Sequence, residues 1–137
     1  MTYGVGALVN WSDFSLARSQ LGDQFVRILG YFREDGIKSI SAIEDAMRHR
    51  DAAALVRPAH TLKGEALQFG AEPLGLLAEQ IEHVSRRCVE TRESPEELIE
   101  SVVRLRPLFE ETFALFDRET AVAAPARRPV VFGRKTG

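Results

Sequence analysis

From Phe25 to Phe116, the apolar residues of this 137-residue chain recur at intervals of three and four, in four successive runs. Phe25, Ile28, Leu29, Phe32, Ile40, Ile43 and Met47 make the first, and Leu55, Ala59, Leu62, Ala66 and Phe69 the second. Leu74, Leu77, Ile81, Val84 and Cys88 make the third, and Leu98, Val102, Leu105, Phe109, Thr112 and Phe116 the fourth. That spacing puts each run on one face of an α-helix. No segment alternates as a half-buried strand would, and no internal repeat stands out. Four amphipathic helices on short loops can hide their stripes only against one another. The pattern therefore predicts an all-α, antiparallel four-helix bundle.

Local signals place the boundaries. Residues 1–11 read as an irregular lead-in, with Trp11 packing back on the body. Ser12 is a candidate N-cap for a short extra N-terminal helix from Asp13 to about Gln20, interrupted at Gly22. The first long helix is expected from Asp23 to His49. Asp35-Gly36 suits a turn, yet the stripe keeps its phase across the pair, so a single continuous helix is expected. Asp51 caps the next helix, which runs to about Phe69 and stops at Gly70. Pro58 lies inside it and is expected to kink it just before His60. Glu72-Pro73 opens the next helix, to about Thr91. Ser94-Pro95-Glu96-Glu97 has the form of a capping box starting the last helix, bent at Pro107 and fading near Glu119. The bundle is thus expected over residues 12–119, and residues 120–137 as a flexible tail.

That tail is basic. It holds Arg127, Arg128, Arg134 and Lys135 and no acidic residue, which leaves −6 on the body of a chain whose net charge is −2. An acidic body argues against nucleic-acid binding, which needs clustered positive charge. No apolar run approaches the roughly 18 residues of a membrane span, and the first residues lack the form of a secretory signal. A lone cysteine, Cys88, permits no internal disulfide and fits a reducing, cytoplasmic setting.

The stretch from Ala59 to Gly70, AHTLKGEALQFG, carries the chemistry. Its apolar stripe faces the core. The opposite face gathers His60, Lys63 and Gly64, since residues three and four apart are helix neighbours. A neutral imidazole is a nucleophile at physiological pH. An ammonium one turn away offsets an arriving anion, and lysine binds phosphate as a point charge. Glycine inside a helix costs about 0.5–1 kcal/mol relative to alanine. Close approach of another molecule to the His60 ring is a sufficient reason for Gly64. Leu67, one turn further on, is a candidate apolar contact for such a partner. His49 reads as a cation at a helix end, and His83 as a flanking polar residue. No pair among His49, His60, His83 and Cys88 has the i, i+4 spacing of helical zinc ligands, so no metal site is expected.

His60-Thr61-Leu62-Lys63-Gly64, followed by Phe69-Gly70 in an all-α chain, resembles the histidine-containing phosphotransfer domains, over roughly residues 12–119. The resemblance implies that His60 accepts a phosphoryl group, that Lys63 offsets its charge, and that Gly64 leaves the gap through which a receiver domain approaches. Glu82 falls where many members place a glutamine that holds the histidine's second ring nitrogen, and Arg86 where some have a basic residue near the phosphate. A carboxylate at Glu82 is a departure. It can fix the tautomer as an amide does, but it adds a negative charge that Lys63 and Arg86 would have to offset. Gln68 and Gln80 are nearby amides with no assigned role.

The function implied is that of a phosphorelay intermediate, a phosphocarrier and not an enzyme with its own ATP-dependent kinase activity. It would take phosphate from a phospho-aspartyl receiver domain or hybrid kinase and pass it to a response-regulator aspartate. Its partners would be receiver domains and a sensor or hybrid histidine kinase, with no nucleic acid and no membrane, and the chain is expected to be a monomer. No Gly-rich phosphate loop or Walker-type lysine motif is present. No cofactor is therefore expected on this chain, and Mg²⁺ only on the partner receiver. The alternative is a phosphate-independent helical-bundle adaptor that docks a receiver or other partner.

Overall fold

A computed structural model describes residues 8–123. Residues 1–7 of the expected lead-in and 124–137 of the expected tail lie outside the described residues. The order is α1 (Trp11–Leu21), a 3₁₀ turn (Gly22–Gln24), α2 (Phe25–Arg48), α3 (Ala52–Gln68), α4 (Glu72–Thr91), a second 3₁₀ turn (Glu96–Leu98) and α5 (Ile99–Ala123). No strand occurs among the described residues. The fold is the all-α bundle that the periodicity predicts: α2 to α5 form the four helices, and α1 is the short extra one.

The four stripes meet in the centre. Leu55, Ala59, Leu62, Ala66, Phe69, Leu74, Ile81, Leu105 and Phe116 are at most 1% exposed. Every phenylalanine of the described residues is buried. They join in one aromatic network, in which Phe32 stacks on Phe69 at 5.6 Å and Phe14 on Phe116 at 4.9 Å. Trp11 docks α1 on this network, edge-on to Phe14 and Phe116. The network runs from the end of the bundle where α1 packs to the middle of α2, where Phe109 meets Gly36. Small and aliphatic residues fill the middle of the α3–α4 interface, and this lets those two helices run close together beneath the site.

Two glycines explain contacts between helices. α2 runs without a break through Asp35-Gly36. A methyl on Gly36 would lie 2.4 Å from Cε1 of Phe109, so the bare backbone is where the α5 ring seats. Gly75 does the same between α3 and α4, where a methyl would lie 2.6 Å from Cδ2 of Leu67.

The caps follow the sequence in part. Asp51 accepts from the Ala54 N–H at 3.1 Å, and Gly70 ends α3 with φ +79°. The cap of α1 is Asn10, not Ser12: its side chain accepts from the Asp13 N–H at 3.1 Å, and its N–H donates to the Gly70 carbonyl at 2.7 Å. This second bond pins the chain ahead of α1 to the α3–α4 corner and moves the helix start to Trp11. The capping box at Ser94 does not form. The first turn winds as a 3₁₀ turn with no side-chain cap, because Glu97 turns to Arg87 and Glu96 to Arg50. α3 and α5 stay helical across Pro58 and Pro107. α5 also runs on to Ala123, past the expected end near Glu119.

Candidate functional site

α3 presents His60 and Lys63, one turn apart, and α4 presents Glu82 and Arg86, likewise one turn apart. The two pairs meet over the α3–α4 seam. Nδ1 of His60 lies 3.0 Å from Oε2 of Glu82. Arg86 donates to that same oxygen twice, from Nε at 3.1 Å and from an Nη at 2.8 Å. Nζ of Lys63 stands 3.0 Å from Oε1, as an ion pair off the line of a well-formed hydrogen bond. Glu82 is therefore the hub, and its side chain is only 9% exposed.

The opposing effects on this carboxylate can be ranked. Burial is the largest single influence and would raise its pKa. Its pairing with Arg86, Lys63 and His60 together outweighs burial and holds it down at about 2. Glu82 is thus an anion across the physiological range, neutralised locally by two cations.

The His60 side chain is 61% exposed. With Nδ1 turned to Glu82, Nε2 faces away from the bundle, and no described residue bonds it. An Nδ1–H donated to a carboxylate fixes the tautomer in which Nε2 keeps its lone pair. Gly64 is exposed, and a methyl there would meet no atom within 4 Å. The space beside the ring is open to a large partner. Chemically, the arrangement offers a nucleophilic nitrogen at the surface, an oriented ring and two cations close to where an anion would form.

The five residues singled out from the sequence thus lie in one place. Gln68 and Gln80 are exposed and make no side-chain hydrogen bond among the described residues. Leu67 is 41% exposed and lies over Gly75. His49 closes the end of α2, with Nδ1 2.9 Å from the Asp45 carbonyl, and His83 is exposed. No group of three potential metal ligands occurs among the described residues, and no described helix is long and apolar enough to cross a membrane.

Sequence reasoning missed a carboxyl pair beside the site. Glu65 on α3 is pushed up to about 7, by burial first and then by the neighbouring carboxylate of Asp35 on α2. Its only signal was an acidic residue next to the buried face of α3.

Three comparisons bear on this geometry. The family model described as Hpt domain matches residues 27–115, a span that includes all five site residues. The crystal structure of histidine-containing phosphotransfer protein B (HptB) from Pseudomonas aeruginosa PAO1 superposes with a TM-score of 0.70 at 22% identity. The match covers 82% of this chain and 93% of that one, a likeness of fold. Comparison with curated proteins gave no match.

Proposed function

The chain belongs to the Hpt domain family, and from that premise we propose that His60 is the residue on which this phosphorelay intermediate carries its phosphoryl group. The observation that supports the choice is the pairing of a held Nδ1 with an open Nε2 on a surface histidine.

In this reading Nε2 attacks the phosphorus of an aspartyl phosphate on a docked receiver domain. The Nε2–phosphorus bond forms as the acyl phosphorus–oxygen bond breaks, and the receiver's aspartate leaves as a carboxylate. Glu82 is a positioning residue that orients the ring through Nδ1–H. Lys63 and Arg86 offset the charge of Glu82 and of the incoming group. Gly64 leaves room for the receiver. Passing the group on to a second receiver is the same displacement in reverse. Positioning and charge offset dominate phosphoryl transfer, and these residues can supply both. The chain is proposed to act without ATP or Mg²⁺ of its own, with any magnesium ion held by the receiver.

The test is incubation with a phosphorylated receiver domain. Acid-labile, base-stable phosphate should appear on the chain, and His60→Gln should abolish it. Retained labelling in His60→Gln, or docking of the receiver without any transfer, would favour the adaptor reading.

A further inference from the structure

We propose that Glu82 keeps the proton on Nδ1 after His60 is phosphorylated, so that the loaded carrier is a phosphoimidazolium, which gives up its phosphate readily, and not a persistent neutral phosphoimidazole. This rests on the reading of His60 as the phospho-acceptor and deepens it.

The argument begins with the leaving group. A neutral imidazole attacks through Nε2 and already bears its proton on Nδ1. The immediate product therefore has hydrogen on Nδ1 and phosphoryl on Nε2. If that proton stays, cleavage of the Nε2–phosphorus bond releases neutral imidazole. If it is lost to solvent, cleavage must expel an imidazolate, a far poorer leaving group. The protonation of Nδ1 thus decides whether the carrier is poised to transfer or is stored.

The geometry favours retention. Oε2 of Glu82 lies 3.0 Å from Nδ1 on a side chain that is nearly buried and clamped by Arg86 and Lys63. The carboxylate cannot swing away, and its charge is next to the proton. An amide here would accept the same hydrogen bond but lack that charge. An opposite charge at such a distance favours the protonated form of the phosphorylated ring.

The surrounding charges act against one another. Lys63 on α3 and Arg86 on α4 weaken the pull of Glu82 on the proton in the empty protein. A phosphoryl group on Nε2 attracts both cations and itself favours a protonated ring. The Glu82 carboxylate is held by Arg86, Lys63 and His60. From α2, Asp35 acts on Glu65 instead. From α5, Arg106 is paired to Glu44.

The experiment uses the full chain, phosphorylated with potassium phosphoramidate so that no receiver is needed. Loss of phosphate from the isolated protein is followed over a range of pH for wild type and Glu82→Gln. Wild type should stay labile to higher pH, its profile displaced upward by about one unit or more relative to Glu82→Gln. Superimposed profiles, with loading that His60→Gln abolishes, would overturn the proposal and leave the phospho-acceptor reading intact. Failure of wild type to load on His60 from either phosphoramidate or a phosphorylated receiver would overturn both. If Glu82→Gln does not fold, the ¹⁵N shifts of the phosphorylated wild-type ring decide: Nδ1 should still be protonated at about pH 8, well above the roughly 6.5 at which an unassisted imidazolium gives up its proton. A bare Nδ1 at that pH would overturn the proposal.

Discussion

Nδ1 of His60 and Oε2 of Glu82 are 3.0 Å apart across the α3–α4 seam, and the carboxylate that receives the ring also holds Lys63 and Arg86. One nearly buried anion organises every charged group of the site, and its removal should be felt in both stability and chemistry.

For stability, Glu82→Gln should cost about 1–2 kcal/mol near neutral pH, since charge-assisted hydrogen bonds are lost while the partners stay partly solvated. The folded pKa of about 2 lies below the ordinary value of 4.5. The contribution is therefore fully present above about pH 4.5 and is lost as pH falls through 2. Thermal melts of the two proteins should differ at neutral pH and converge as the pH approaches 2.

Glu65 works in the opposite window. Its folded pKa of about 7 lies above 4.5, so its contribution is fully present below about pH 4.5 and is lost as pH rises through 7. Wild type should lose a few degrees of melting temperature between about pH 5 and 8, and Glu65→Gln should lose less. Equal slopes in the two proteins would exclude Glu65 as the source.

Gly64→Ala should separate folding from function. The new methyl meets nothing within 4 Å, and alanine favours the helix by about 0.5–1 kcal/mol. The variant should melt higher. It should also accept phosphate from a receiver about ten- to a hundredfold more slowly, because small misplacements in transfer geometry are costly. Loading from phosphoramidate should change little, since that donor is small.

Gly36→Ala should do the reverse. Helix propensity favours alanine by about 1 kcal/mol, but its methyl would lie 2.4 Å from the Phe109 ring. Overpacking of this kind costs about 1–3 kcal/mol. Denaturant melts should show a net loss of stability, and His60 loading should be unaffected at temperatures where the fold persists.

The parts of the molecule legible in the sequence are those set by local spacing. The four stripes, the cap at Asp51 and the stop at Gly70 each depend on residues a turn or so apart. So does the clustering of His60, Lys63 and Gly64 on one face of α3. What periodicity cannot supply is the register between helices. The seat of Phe109 on Gly36, the cover of Leu67 over Gly75 and the Glu65–Asp35 pair all depend on that register. The capping box at Ser94 failed for a related reason: Arg87, from a different helix, attracts the glutamate that the local motif assigned to the backbone. Glu82 was placed in the site by resemblance, and its role as the hub of three partners became visible only with α3 and α4 side by side.

Trp11 is the single tryptophan of the chain, wedged edge-on against Phe14 and Phe116. Its neighbour Asn10 is bonded to Gly70, just past the end of α3, which lies about 12 Å of helix rise from His60. Intrinsic fluorescence therefore reports whether α1 is seated and the bundle intact, from a place remote from the imidazole. An emission spectrum taken before and after loading becomes an internal control: a variant that has lost its chemistry but kept this signal is a folded protein with a damaged site.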